Sequence, residues 1–183
     1  MAECKQFVVL LRGINVGGHN RVPMTELRDA LDRAGFEAVR TYIQSGNVLL
    51  DGGGRAEAAV VSDVEAVMAD RFQLPTPVVA RPVEQWSGIL AANPFPEAVS
   101  EPKFLHVSLC DRAPAAAAVD RFDAGRYAPD HVAVAGRQLY LWYPNGSGRS
   151  KLTGAVLERA LAVTTTARNW STMLKLDDLI AAG

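Results

Sequence analysis

Apolar runs and apolar stripes alternate along the chain, and the period changes wherever glycine or proline intervenes. Phe7 to Leu11 is an unbroken apolar and β-branched run, the pattern of a strand buried on both faces. After a loop, Leu27, Ala30, Leu31 and Ala34 fall at i, i+3, i+4 and i+7. They mark one face of a helix that Pro23 opens and Gly35 stops. Val39, Thr41 and Ile43 alternate with their neighbours as a strand does. Ser45-Gly46-Asn47 reads as a turn, and Val48 to Leu50 returns as the next strand. Gly52-Gly53-Gly54 breaks the chain again. Val60, Val64, Val67 and Met68 then stripe a second helix that ends before Pro75. Pro77 to Ala80 is a short strand whose prolines suit a sheet edge. The element order is β-α-β-β-α-β, a ferredoxin-like unit.

The order then recurs. Pro82 opens a short helix carrying Trp86, Ile89 and Leu90, and Asn93 to Lys103, with three prolines and no periodicity, reads as a linker. Phe104 to Leu109 is a strand, and Pro114 starts an alanine-rich helix ending near Phe122. Val132 and Val134 lie on a strand, as do Leu139 to Tyr143. Val156, Leu157, Ala160 and Leu161 stripe a helix, and Thr164 to Ala167 forms a last strand. Ser171 is placed to cap a closing helix with Leu176, Leu179 and Ile180. The expected fold is α+β, two ferredoxin-like halves in tandem plus a C-terminal helix. Residues 1–81 form the first half, 82–102 a linker helix and Pro-rich loop, and 103–183 the second half with its closing helix.

This topology places loops. In a β-α-β-β-α-β unit the first and second strands run in the same direction, joined by a right-handed crossover. The loop after strand one therefore opens at the same end of the sheet as the hairpin after strand two. Arg12 to Arg21 is expected beside Gln44, Ser45 and Asn47.

Composition narrows the function classes. Of 183 residues, 49% are apolar, enough to bury a core, and the net charge of -1 gives no global attraction to nucleic acid or membrane. Any anion site must be local. Cys4 and Cys110, with no CxxC, read as reduced thiols in a cytoplasmic protein rather than as a disulfide. The first residues lack a signal-peptide pattern, and no apolar run approaches the roughly 20 residues of a membrane span. His19, His106 and His131 lack metal-ligand spacing, so neither metal nor cofactor is expected.

Local charge appears in two stretches, and from Pro144 to Leu176 the bases are Arg149, Lys151, Arg159, Arg168 and Lys175 with Glu158 the one acid. Between Glu3 and Glu26 there is no acid, while Arg12, His19 and Arg21 share a loop with Gly13, Asn15, Gly17, Gly18 and Asn20. Gly13 and Gly18 are spaced as in a P-loop, but His19 and Asn20 stand where the phosphate lysine and the magnesium-binding hydroxyl belong. This argues against a nucleoside triphosphatase. Exposed N–H groups and arginines can still hold an anion, and a tight structural loop is the equal alternative. Gly146-Ser147-Gly148-Arg149-Ser150-Lys151 resembles the tail of a P-loop, lacks its first glycine and reads as a solvated turn with a helix cap. Arg168 and Asn169 precede Trp170, a fork donor and an amide before a helix. Base stacking on the first sheet is weakly supported, because its central strands offer only Phe7.

LLRGINVGGHNRVPM, TYIQSGNVLL and TTTARNWSTMLKL occur in that order and span most of the chain. They resemble the signatures of a bacterial family of uncharacterised proteins, domain of unknown function sixteen ninety-seven. The resemblance implies a stand-alone cytosolic α+β protein and no activity. It marks Arg12, Gly13, Asn15, Gly17, Gly18, Ser45, Gly46, Asn47, Arg168, Asn169 and Trp170 as signature positions without roles. The leading expectation is binding of a phosphate-bearing small molecule or nucleic-acid backbone. Its ligand residues would be Arg12, Gly13, Asn15, Gly17, Gly18, His19, Arg21, Ser45, Asn47, Arg168 and Asn169. The rivals are a protein–protein interaction or structural module, and a metal-independent transferase or hydrolase using His19 or Ser45. Ligand identity and oligomeric state carry no signal in the sequence.

Overall fold

A computed structural model describes residues 5–183; Cys4 lies outside the described residues. The chain divides into two compact units, one running through Trp86 and one from Ser87 to Gly183. Each contains a four-stranded antiparallel sheet, and the fold is α+β with two ferredoxin-like halves and a C-terminal helix. Among the described residues no helix is long and apolar enough to cross a membrane.

In the first unit β1 (Gln6–Leu11), β2 (Glu37–Tyr42), β3 (Asn47–Asp51) and β4 (Val78–Pro82) are arranged β2-β3-β1-β4. The central place of β1 explains its unbroken apolar run. Phe7, Val9 and Leu11 pack in the core formed with Leu27 and Leu31 of α1 (Met24–Arg33) and Val60, Val64 and Met68 of α2 (Glu57–Phe72). Val8 and Leu10, on the opposite face, are buried too. At roughly 1.5–3 kcal/mol for each buried aliphatic side chain, burial on both faces holds β1 at the centre of the sheet. The prolines beside and within β4 are tolerated because β4 is an edge strand. β2 carries a register shift between Glu37 and Arg40, with Ala38 at φ 49°.

One end of this sheet is fastened by an arginine. Arg55 follows the glycine break after β3 and donates to three carbonyls, Ala34, Gly35 and Gly52, at 2.9–3.1 Å. Its Nε reaches Asp63 at 3.0 Å, and its guanidinium lies over the Phe36 ring. It thus satisfies carbonyls that the end of α1 leaves without intrahelical partners.

The second unit repeats the arrangement with β5 (Leu105–Cys110), β6 (His131–Ala135), β7 (Gln138–Trp142) and β8 (Thr165–Asn169) in the order β6-β7-β5-β8. Cys110, Leu139, Leu141 and Tyr143 pack with Leu157 and Leu161 of α5 (Gly154–Leu161), and α4 (Ala116–Arg121) precedes β6. Between the two sheets in sequence lies α3 (Trp86–Ala91). The closing helix α6 (Trp170–Ala181) is capped by Asn169, whose Oδ1 accepts from Thr172 N at 2.9 Å. The cap is Asn169 and not Ser171, because β8 runs directly into the helix and the capping position falls two residues earlier.

Arg55→Ala removes all of these bonds together and is expected to cost about 2–3 kcal/mol. Urea unfolding of the variant and the parent, compared at equal slope, measures it.

Candidate functional site

The loop from Arg12 to Val22 leaves β1 at the end where β2 turns into β3. Leu11 N donates to Gly46 O at 2.8 Å and Arg12 N to Pro77 O at 3.1 Å, so both neighbouring strands hold its root. The Thr76 hydroxyl donates to Arg12 O. The crossover therefore brings the Arg12 loop and the Ser45 hairpin together, as the topology requires.

The Asn15 side chain is the main tie. Its Nδ2 donates to Gln44 O at 2.7 Å and to Val22 O at 3.0 Å, and its Oδ1 accepts from Val22 N at 2.8 Å. One amide thus closes the loop on itself and joins it to the hairpin. Asn20 Nδ2 adds a bond to Gly13 O, and Asn15 N donates to Asn20 O. The tip reverses through Val16-Gly17-Gly18-His19, where His19 N donates to Val16 O at 2.9 Å. Gly13, Asn15, Gly17, Gly18 and Asn20 all have positive φ. Glycine adopts this conformation freely and asparagine at small cost, which explains the composition of the loop.

The hairpin is shaped to receive the loop. A Cβ on Gly46 would lie 2.9 Å from both Leu11 Cβ and Ile14 Cδ1, and Gly46 has φ 78°. Asn47 is fully buried; its Nδ2 donates to Tyr42 O and to Ser45 Oγ. Ser45 therefore faces an amide donor, which supplies no base. Ile43, β-branched, at φ 49° and 51% exposed, is strained at the rim of this site.

The expected ligand residues thus separate by position. Asn15, Ser45 and Asn47 make hydrogen bonds that build the site. Gly17, Gly18, His19 and Arg21 form its exposed surface, Gly13 is exposed at its root, and Arg12 is half-buried beside them. A Cβ at Gly13, Gly17 or Gly18 would meet nothing, so their backbone faces open space. Arg168 and Asn169 belong to the second unit. Arg168 donates to Thr166 Oγ1 and Ala167 O, and burial pulls its guanidinium down to about 10. Trp170 is buried in that unit.

Sequence reasoning missed three features. Phe95, His131 and Trp142 form an aromatic cluster in which His131 stacks on Trp142 with ring centroids 4.8 Å apart. Neighbouring positions on paired strands, His131 and Trp142, would have shown half of it once the register was known. Arg81, almost fully buried, lies 3.6 Å from Glu57; no sequence signal separates it from a surface cation. Arg126 enters a cavity described below.

The family model for a protein of unknown function (DUF1697) matches residues 4–140. The chain belongs to this family. No curated protein matches it. A similar solved structure is that of the conserved bacterial protein SP0830 from Streptococcus pneumoniae, 21% identical. The match covers 97% of this chain and 99% of that one, with a TM-score of 0.72. At that identity the likeness is one of fold.

Two outcomes are expected. Asn15→Ala should cost about 2–3 kcal/mol in urea unfolding, because three bonds vanish and the Gln44 and Val22 groups lose their partner. His106, on β5, has its pKa lowered from 6.5, chiefly by burial and against a smaller opposing hydrogen bond with the Phe104 backbone. The unfolded chain then binds the proton more readily. The contribution of His106 is full above pH 6.5 and is lost as pH falls below it. His106→Gln should flatten the stability profile between about pH 7 and about pH 5, as followed by urea midpoints.

Proposed function

We propose that the protein binds a phosphate-bearing ligand, a small molecule or a nucleic-acid backbone, on the outer face of the Arg12–Arg21 loop. The observation that carries this reading is a hydrogen-bonded loop that exposes glycine backbone beside two arginines and a histidine. Gly17 and Gly18 leave backbone N–H groups accessible, and Arg12, His19 and Arg21 flank them. No acid lies in the chain between Glu3 and Glu26. Because Asn15 and Asn20 fix the backbone beforehand, little ordering is needed on binding. Arginine suits phosphate through its planar fork.

A second reading rests on Val16, 62% exposed, and Ile43, 51% exposed, which flank the Asn15–Gln44 bond. Apolar side chains on a rigid loop also suit contact with another protein. The catalytic reading finds less support, since Ser45 faces Asn47.

A thermal-shift and titration series with nucleotides, sugar phosphates and short oligonucleotides tests the proposal. Arg21→Ala should weaken the bound phosphate compound about tenfold while changing stability by less than about 0.5 kcal/mol. Arg12→Ala should weaken it similarly. If no phosphate compound binds, and Val16→Ser with Ile43→Ser abolishes an association seen by light scattering, the second reading replaces the first.

A further inference from the structure

The second unit holds a basic cavity of its own. The segment between α4 and β6 and the segment between β7 and α5 border a cleft of about 590 Å³. Arg126, Arg149 and Lys151 line it, with Tyr127, Asp130 and Asn145. Among the described residues none of the three cations forms an ion pair. Asp130, the one acid in the lining, is engaged: it accepts from Ser150 Oγ at 2.5 Å.

The walls are fixed from below. Ser150 Oγ also accepts from Leu152 N at 2.8 Å, so one hydroxyl joins the two segments. The Tyr143 hydroxyl donates to Leu152 O at 3.0 Å. Burial, with a smaller push from Asp130, raises that hydroxyl to about 12, so it stays a neutral donor. Asp123 accepts from Gly125 N and Thr153 from Val156 N at the outer ends of the segments.

Arg126, Arg149 and Lys151 are exposed around one cleft without ion-pair partners among the described residues, and a multiply charged anion seated there offsets their mutual repulsion. Two of the three are arginines, which grip phosphate oxygens in pairs. The volume falls within the range of small-molecule sites, roughly 300–1,000 Å³. We propose that this cavity binds a small phosphorylated compound, a phosphate monoester or diphosphate carried on a sugar or nucleoside. It is independent of the glycine loop. The Gly146 to Lys151 stretch, which reads in sequence as a solvated turn, is one of its walls.

Amide NMR of the full chain titrated with inorganic pyrophosphate, and separately with inorganic phosphate, tests this. Saturable shifts at Asn145, Gly146, Arg149 and Ser150 are expected, with pyrophosphate the tighter. Arg149→Ala and Arg126→Ala should each weaken pyrophosphate at these amides about tenfold or more, and Lys175→Gln, on α6 away from the cavity, should leave it unchanged. Should either arginine variant fail to give a folded spectrum, Lys151→Gln decides by the same titration. Absence of saturable shifts at millimolar pyrophosphate would overturn the proposal. So would shifts confined to residues 12–21, undiminished affinity in the Arg126→Ala/Arg149→Ala double variant, or tight binding of single-stranded oligonucleotide but not of pyrophosphate at these amides.

Discussion

The amide of Asn15 fixes the end of the first sheet. It makes three hydrogen bonds, to Val22 twice and to Gln44 once. Ordering a residue costs about 1–2 kcal/mol of backbone entropy, and the loop orders its tip with almost no apolar burial. Hydrogen bonds and the plug of Ile14 must offset that cost. Ile14 is buried against Gly46, where no side chain would fit. The glycines at the tip, the asparagines at its shoulders and the glycine in the facing hairpin all serve one conformation.

Charge follows the same local logic. The whole chain is close to neutral, yet acids are absent from the first 22 residues after Glu3 and the cavity of the second unit holds three cations. Neither feature is visible in the net charge. In the glycine loop neutral amides build the frame, whereas in the cavity Asp123 and Asp130 share that work with Ser150 and Tyr143.

Much of this architecture was legible in the sequence. The run from Phe7 to Leu11 reads as a central strand, and the stripes of α1, α2 and α5 follow helical spacing closely. The meeting of the Arg12 loop with the Ser45 hairpin followed from the crossover. What escaped was everything that depends on a partner distant in sequence. Asn15 and Asn47 look like ligand amides until their bonds to Gln44, Val22 and Tyr42 are seen. Arg55 beside three glycines looks like a solvated cation, although the carbonyls it serves come from the end of α1. Ala38 and Ile43 have positive φ where composition argues against it, because a bulge and a turn impose the geometry. Arg126 lies about twenty residues before the stretch whose cavity it shares, so spacing alone could not join them.

The first sheet is fastened at its two ends by different chemistry, a guanidinium at one and a carboxamide at the other. Dissolved salt distinguishes them. Screening at physiological ionic strength acts over about 8 Å and weakens exposed ion pairs such as that of Arg55 with Asp63, but not a bond between an amide and a carbonyl. The amide–carbonyl bonds of the glycine loop are therefore less sensitive to ionic strength than the Arg55–Asp63 pair. A dependence on ionic strength observed there points to the encounter with a charged molecule before a change in the loop itself.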